Sequence, residues 1–284
     1  MKIKRLKEVI YFQFFRIATA SILLFLLLMM GNFVSNGIKA INWTFLTDIP
    51  RQGMTEGGIF PAIMGTLFLT LGAIAFAFPI GITSAIYLVE YASEGRFLRI
   101  INLAITNLAG IPSIIFGLFG FGLFVNLLGF GTSVLSGSLT LAIMILPIII
   151  TASKEALLNI PRSFRDGSLA LGATKLETIR HNVLPYALPG ILTGTILAVA
   201  RAAGETAPII LTAVFFFRPL IPRSLLDGTM ALATHIYYMA TQHYNILLVR
   251  PLTYATVLVL LGIVLSLNLV AIVIRTWHRK SKKW

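Results

Sequence analysis

Two opposite charges, Arg201 and Glu205, stand within a long apolar segment, GILTGTILAVARAAGETAPIILTAVFF. On a helix, side chains four residues apart can form an ion pair. An ionised residue in mid-membrane costs about 2.5 to 3.5 kcal/mol on insertion scales, so such residues usually mark a substrate path. The planar guanidinium of Arg201 suits a phosphate-like oxyanion, because it can give two parallel hydrogen bonds. A salt bridge that only fixes helix register is the structural alternative.

Small residues recur at every fourth position of the same segment, at Gly190, Gly194, Ala198 and Ala202. This spacing forms a stripe on which another helix can pack closely. At roughly 100° per residue, Arg201 and Glu205 both fall within the arc of the stripe. We therefore expect the two charges, with Thr206 beside them, to face a bundle interior and line a substrate path. Pro208 weakens the helix just beyond them and permits a bend.

The overall composition places these residues in a membrane protein. Hydrophobic residues make up 57% of the 284 and charged residues 12%, whereas about a quarter of a soluble domain is charged. Six apolar runs can be drawn as membrane spans. They are residues 11–31, 60–88, 100–126, 138–151, 188–217 and 251–274. The sequence therefore predicts an all-α membrane protein, a bundle of six transmembrane helices.

Several classes of function are excluded by the residue types present. The sequence has no cysteine, so disulfides and cysteine-based metal or redox sites cannot form. Its four histidines have no carboxylates at metalloprotease spacing, which argues against an intramembrane enzyme. We predict no catalytic residue and no metal site. The net charge of +13 comes mostly from basic residues at the termini and beside the spans, so we predict no nucleic-acid partner.

The distribution of basic residues predicts the orientation of the bundle. Most of the 23 Lys and Arg residues lie in the N-terminal segment, the 89–99 loop, the 152–187 loop and the C-terminal tail. Because cytoplasmic loops carry the excess of Lys and Arg, we predict that both termini are cytoplasmic. The loops 32–59 and 218–250 are then external, and their aromatic and turn-forming residues favour ordered caps.

The cytoplasmic loop 152–187 contains capping residues that predict where helices begin and end. Ser163-x-x-Asp166 after Pro161 predicts the start of a first helix, because the hydroxyl can accept from backbone N–H groups. Gly172 predicts its end, since glycine takes the left-handed conformation of a helix C-cap at little cost.

A second helix is predicted to follow directly. Thr174-x-x-Glu177 is a capping box, and Pro185 predicts that this helix stops just before it. Two capped helices in a loop that only had to return the chain favour docking to another protein. Four basic residues beside them leave a second interpretation open, an amphipathic segment on anionic lipid headgroups: Arg162, Arg165, Lys175 and Arg180.

The loop resembles the EAA loop of binding-protein-dependent ABC transporter permeases. The match consists of Asp166-Gly167-Ser168, then Gly172, then Val183-Leu184-Pro185. Asp166 replaces the glutamate of the motif, Gly167 and Ser168 replace its alanines, and Asn182 occupies a usually apolar position. In those permeases the loop contacts the ATPase subunit. The resemblance implies ATPase-coupling roles for eight residues: Arg165, Asp166, Gly172, Ala173, Thr174, Glu177, Leu184 and Pro185.

The string from Arg201 to Pro208, RAAGETAP, resembles the signature of phosphate-specific permeases, most closely their PstA-type subunit. Three further segments extend the match: residues 57–66, 79–91 and 111–120. The resemblance implies a MetI-like permease core at residues 60–284, with residues 1–59 forming the first transmembrane helix and an external loop. It also implies a non-enzymatic subunit of a phosphate importer in the inner cell membrane, surrounded by lipid.

The implied partners are a PstC-like permease subunit in a heterodimer, two ATPase subunits and an external phosphate-binding protein. No G-x-x-x-x-G-K-[ST] motif occurs, so we expect no cofactor in this chain and ATP-Mg on the partner ATPase. A permease for sulfate or molybdate is the nearest alternative, because Arg201 suits any oxyanion. An ion-coupled secondary transporter also places charges in spans, but it gives no reason for the two capped helices.

Overall fold

The computed structural model describes the backbone of residues 2–281 and the side chains of residues 11–277. The basic side chains before residue 11 and after residue 277, which contribute to the predicted orientation, lie outside the described residues. Five helices of the described part are long and apolar enough to cross a membrane, or six if one bent pair counts as a span. An all-α membrane fold is therefore confirmed.

Four of the five long helices extend or reproduce predicted spans, and the fifth contains only the first part of one. The fourth apolar run, 138–151, is shorter than the helix that contains it. That helix begins earlier, because Ser133 caps it by accepting from the Ser136 N–H. The five helices are α1 (Lys2–Gly37), α3 (Phe60–Ile86, continued by a π-helical turn Tyr87–Tyr91), α6 (Val134–Leu158), α9 (Leu184–Gly204) and α12 (Ile246–Ser281).

The predicted span 100–126 is not one continuous helix. Helix α4 (Arg96–Ala109) and helix α5 (Ser113–Gly120, continued by π-helical residues Phe121–Leu127) meet at an angle of 103°. Pro112 explains the break, because it has no N–H to donate and its ring excludes the preceding residue from helical geometry. Helix α4 buries none of its residues within the described part of the chain.

The predicted span 188–217 is also wrong as a single helix. Helix α9 ends at Gly204, Glu205 is extended (φ −72°, ψ 140°), and a separate short helix α10 follows at Ala207–Thr212. Pro208 again accounts for the break. In a continuous helix its ring would collide with the carbonyl four residues earlier, which belongs to Gly204. The chain therefore breaks before the proline, at the charged pair, rather than bending after it.

Helix α6 lies at the centre of the bundle and packs against α3 and α9. Its buried core includes Leu141, Ile145 and Ile149, all at most 1% exposed. Glycines make the close approaches possible. A Cβ on Gly81 of α3 would collide with Ile149, and one on Gly194 of α9 would collide with Ala152. Since tight packing contributes most of the association energy of helices in a membrane, these glycines position α9 and its charges.

The segments predicted as external caps are ordered. The first contains helix α2 (Trp43–Thr47) and an antiparallel pair of short strands, β1 (Pro50–Arg51) and β2 (Glu56–Gly57). The second contains helix α11 (Leu232–Thr241), whose Leu232 N–H donates to the Thr66 hydroxyl at 2.8 Å. The two caps contact each other through His243, whose Nε2 donates to the Gly53 carbonyl at 2.8 Å.

Two further helices, α7 (Arg162–Ala170) and α8 (Lys175–Thr178), form the loop between α6 and α9. A π-helical turn, Ile179–Val183, joins α8 to α9 without interruption. Residues 152–158 of the predicted loop are the last two turns of α6.

Burial of His235 in α11 makes the stability of the cap depend on pH. Its side chain is 2% exposed, its Nδ1 has no hydrogen-bond partner among the described residues, and desolvation lowers its pKa from 6.5 to about 4. Below pH 6.5 the His235 imidazole is protonated in the unfolded state but stays neutral in the folded state. Stability is therefore fully present above pH 6.5 and is lost progressively down to pH 4, by up to about 3 kcal/mol.

We expect the His235→Gln variant to lose this part of the pH dependence. Melting temperatures of the purified protein between pH 7 and pH 4 would measure it, with His181→Gln, an exposed histidine, as the matched control. Equal slopes for wild type and His235→Gln would show that His235 does not titrate with unfolding.

Candidate functional site

Arg201 and Glu205 form the predicted ion pair, although Glu205 lies beyond the end of the helix. Arg201 Nε lies 3.4 Å from Glu205 Oε1, with the two side chains 37% and 16% exposed. This is the single polar contact of each side chain among the described residues. The terminal guanidinium nitrogens of Arg201 and one carboxylate oxygen of Glu205 thus remain able to bind a ligand.

The faces of α9 differ from the predicted stripe. Gly194, Ala198 and Ala202 are buried against the bundle, as expected. Arg201 lies at the edge of this packed face, next to the open surface on which Leu197 and Gly204 are exposed. Glu205 does not belong to the stripe, because the helix has ended and its angular position no longer follows 100° per residue. The pair therefore faces a surface of this chain that a second chain can cover.

Close packing fixes the broken segment that follows the pair. Thr206, which precedes α10, is half-buried. A Cβ on Gly117 of α5 would lie 2.9 Å from Pro208 Cα, and one on Gly120 would collide with the Thr140 side chain. These two glycines let α5 approach both α10 and α6. Both glycines lie in the matched segment 111–120, but the sequence alone gives no indication of their contacts.

Helix α7 begins earlier than predicted and ends as predicted. It starts at Arg162 directly after Pro161, so Ser163 is its second residue and makes no capping bond. Gly172 has φ +84° and ends it. The Gly172 N–H donates to the Leu169 carbonyl at 3.0 Å and the Ala173 N–H to the Ser168 carbonyl at 3.3 Å, which is a Schellman motif.

The capping box at the start of α8 is confirmed. The Thr174 N–H donates to Glu177 Oε2 at 2.8 Å, and the Glu177 N–H donates to the Thr174 hydroxyl at 3.3 Å. The Thr174 N–H, and after it the Thr174 hydroxyl, which donates to Glu177 Oε2 at 2.7 Å, hold the pKa of Glu177 below its usual value.

The predicted stop before Pro185 is wrong. In the π-helical turn the Leu184 N–H donates to Ile179 O, five residues back, and this wider turn makes room for a proline that cannot donate. Leu184 and Pro185 are accordingly half-buried members of α9 and not part of an exposed surface. Helices α8 and α9 form one continuous rod.

Helices α7 and α8 expose an apolar surface around the residues predicted to dock. Leu169, Leu171 and Leu176 are 47%, 90% and 66% exposed. Of the residues predicted to couple, Ala173 is half-buried and four are exposed: Asp166, Gly172, Thr174 and Glu177. Contiguous exposed apolar residues with polar neighbours are typical of a protein-binding surface.

Arg165, by contrast, points inward and pairs with Glu90, a residue that the sequence analysis did not single out. Arg165 Nη2 donates to Glu90 Oε1 at 2.7 Å and Nε to the same oxygen at 3.0 Å. Its remaining donors reach the carbonyls of Ile160 at 2.8 Å and Leu157 at 3.0 Å. The two side chains are 18% and 7% exposed. Arg165 therefore anchors α7 to the ends of α3 and α6.

Two of the departures from the EAA motif, Ser168 and Asn182, contact each other. The Ser168 hydroxyl accepts from Asn182 Nδ2 at 2.8 Å and from the Thr178 hydroxyl at 3.0 Å. Ser168 and Thr178 are buried, so unpaired polar atoms there would be costly. A polar bond between α7 and the α8–α9 rod thus replaces apolar packing at this position.

A known family matches most of the chain that carries these features. The family is described as the binding-protein-dependent transport system inner membrane component, and its match covers residues 77–283. The chain belongs to this family of permeases.

Its relatives include permeases named for phosphate transport. The chain is 37% identical over 230 residues to phosphate transport system permease protein PstA 1 of Mycobacterium tuberculosis (strain ATCC 25618 / H37Rv), covering 80% of this chain and 72% of the relative. It is 36% identical over 232 residues to phosphate transport system permease protein PstA of Mycobacterium leprae (strain TN), covering 80% and 75%. The fold resembles the inward-facing MetNI methionine ABC transporter, with TM-score 0.62, 19% identity and coverage of 78% and 97%.

Membership in this permease family implies partner proteins for the surfaces described above. Permeases of this family act in the inner membrane with an ATPase and a substrate-binding protein, and they are not enzymes themselves. The chain is a multi-pass membrane subunit of such an assembly. The roles predicted for individual residues stay predictions.

Breaking the Glu90–Arg165 pair is expected to destabilise and uncouple the permease. Glu90→Ala leaves a buried, uncompensated guanidinium, which costs about 3 to 5 kcal/mol. Two quantities would be measured: the melting temperature, and the number of ATP molecules hydrolysed per substrate molecule moved by the assembled transporter. We expect the first to fall and the second to rise. Glu94→Ala, an exposed acid of the same loop, should change neither; equal behaviour of both variants would contradict the anchoring role.

Proposed function

We propose that this chain is the membrane-spanning permease subunit of an ATP-driven phosphate importer and forms half of the phosphate path. The observation that carries the proposal is the half-buried Arg201, which keeps guanidinium donors available beside Glu205 at a break between two helices. The relatives named as phosphate permeases support the same substrate.

The pairing of a cation with a carboxylate favours phosphate over sulfate or molybdate. At neutral pH phosphate carries at least one P–OH group, which can donate to the free oxygen of Glu205 while Arg201 binds the ionised oxygens. Sulfate and molybdate are fully ionised at this pH, so the same carboxylate repels them. Glu205 thus acts as a filter for a protonated oxyanion.

The open surface beside Arg201 gives the path its second wall. A PstC-like permease subunit covering the exposed side of α9 would enclose Arg201 and Glu205 between two chains. Enclosure lowers the local dielectric, which strengthens the attraction between Arg201 and the anion. Lipid would cover the apolar helices elsewhere, among them α1, which exposes its apolar residues along most of its length.

Helices α7 and α8 would couple this path to two ATPase subunits on the cytoplasmic side. Their exposed leucines fit an apolar groove of an ATPase, and ATP-Mg would bind to that subunit. When the ATPases close, α8 would move, and the continuous rod carries that movement to Arg201. The distance along the rod from Lys175 to Arg201 is about 39 Å at 1.5 Å per residue.

In this orientation both termini are cytoplasmic and the two ordered caps are external. A phosphate-binding protein would dock on residues 32–59 and 218–250. The second cap exposes several apolar side chains for such a contact: Leu220, Ile221, Leu225 and Leu226.

Replacing Arg201 should remove phosphate uptake without preventing assembly. Losing charge-assisted hydrogen bonds to the anion is expected to lower uptake at least about 10- to 100-fold in Arg201→Gln. Radiolabelled phosphate uptake by liposomes containing the chain and its co-purifying partners measures this, and co-purification of the ATPase checks assembly. Arg99→Gln, an exposed arginine of α4, is the control. Normal uptake by Arg201→Gln would contradict the proposed path.

Replacing Glu205 should relax the choice of anion. Glu205→Gln removes the charge that repels fully ionised anions, so sulfate should become a competitor of phosphate uptake. We expect the sulfate concentration that halves uptake to fall at least about tenfold, which corresponds to about 1.4 kcal/mol. Glu94→Gln, which changes an exposed acid outside the path, is the control. Unchanged selectivity would leave Glu205 with a structural role and reopen the sulfate alternative.

A further inference from the structure

Helix α12 places a second arginine beside the open surface of α9. Arg275 Nη1 donates to the Thr193 hydroxyl at 3.2 Å, and Thr193 in turn donates to the Pro189 carbonyl at 2.8 Å. Arg275 is half-buried and Thr193 is exposed. No carboxylate lies within salt-bridge distance of Arg275 among the described side chains. An arginine is always charged, so this one lacks a counter-charge from the part of the chain that the structure describes.

Asn268 lies on the same side of α12 as Arg275, seven residues earlier. Seven residues bring a helix back to within about 20° of the same direction, so Asn268 also faces α9. Its Oδ1 is buried and has no hydrogen-bond partner among the described residues. Buried polar atoms are rarely left unpaired. Asn268 Nδ2 also has no partner among the described residues and, unlike Oδ1, is not fully buried, so its N–H groups can donate to a ligand.

These polar groups line up with the charged pair of α9. The two helices run antiparallel, and the Thr193–Arg275 contact fixes their relative height. Arg201 lies eight residues above Thr193, about 12 Å, and Asn268 lies seven residues above Arg275, about 10.5 Å. Asn268 is therefore at nearly the height of Arg201, and Arg275 is about two turns nearer the end where α7 and α8 lie.

We propose that Arg275, which Thr193 holds in place, forms a second oxyanion site on the exit side of the path, with Asn268 lining the passage from Arg201. The inference rests on the proposed function. Phosphate leaving Arg201 would pass Asn268 and bind to the uncompensated Arg275 before release. With a second site, an anion that leaves Arg201 does not have to cross an apolar stretch of about 10 Å that offers no hydrogen-bond donor.

The same donors suit the phosphate of a lipid headgroup, since long basic side chains often extend to the membrane surface. Free phosphate and a lipid headgroup differ in the condition that controls occupancy of the site. Free phosphate in solution would occupy a site in the path whatever the lipid, whereas a headgroup site would depend on the content of anionic lipid.

The absence of cysteine from the chain makes a direct test possible. Ala271→Cys puts a single thiol on α12 between Asn268 and Arg275, at a half-buried position. The transporter, assembled with its co-purifying partners in inside-out vesicles, is first tested for ATP-driven release of labelled phosphate from the lumen and then treated with a charged thiosulfonate reagent. The rate of modification is compared with and without 10 mM inorganic phosphate, at equal ionic strength. The cysteine-free parent controls for thiols of partner chains.

We expect phosphate to slow modification of Ala271→Cys at least about fivefold, and Arg275→Gln to remove the protection while Arg275→Lys keeps part of it. Modification of Ser163→Cys, exposed on α7, should not respond to phosphate. Protection that persists in Arg275→Gln, or that follows only the fraction of phosphatidylglycerol in the vesicles, would overturn the site.

The outcomes separate this inference from the proposed function. If the transporter moves phosphate but phosphate does not slow modification of Ala271→Cys, the second site alone is refuted. A parent that imports sulfate and not phosphate refutes the proposed substrate, and protection by sulfate in that case supports an oxyanion site at Arg275.

Discussion

The contact of α9 with α6 determines what Arg201 can reach. Gly190 and Gly194 lie against Ala156 and Ala152 so closely that a Cβ on either glycine would collide with the facing alanine. In lipid, where apolar surface gains little from leaving the solvent, such close packing and internal hydrogen bonds hold helices together. It fixes the rotation of α9 about its own axis. Arg201 is thereby held at the edge of the packed face, half-covered and able to meet a ligand.

Features determined by neighbouring residues could be predicted from the sequence. The capping box at Thr174, the left-handed Gly172 and the apolar helices need only local information. The break at Pro112 was not predicted, and the one at Pro208 was predicted only as a permitted bend, since hydropathy does not register a missing N–H in an apolar run. Pro185 was misread in the opposite sense, because a π-helical turn absorbed it.

Contacts between distant residues account for the rest of the difference. Glu90 and Arg165 are 75 positions apart, and one sequence contains no signal that joins them. The resemblance to the EAA loop predicted a docking role for Arg165, and its charge suited anionic headgroups equally well. Its inward direction follows from the free carbonyls at the end of α6, which an arginine can reach together with a carboxylate. The pairing of Ser168 with Asn182 shows the same limit, since each residue alone looked like a departure from a motif.

The uninterrupted rod from Lys175 to Gly204 would turn as a lever when α8 is displaced. Its fulcrum is the contact of Gly190 and Gly194 with α6, because that point cannot slide without a collision. The arm toward α8 is about 25 Å long and the arm toward Arg201 is about 14 Å, at 1.5 Å per residue. A displacement of about 5 Å at α8 would then swing Arg201 by about 3 Å in the opposite direction. That is about the length of one hydrogen bond, enough to hold an anion in one position and let it go in the other.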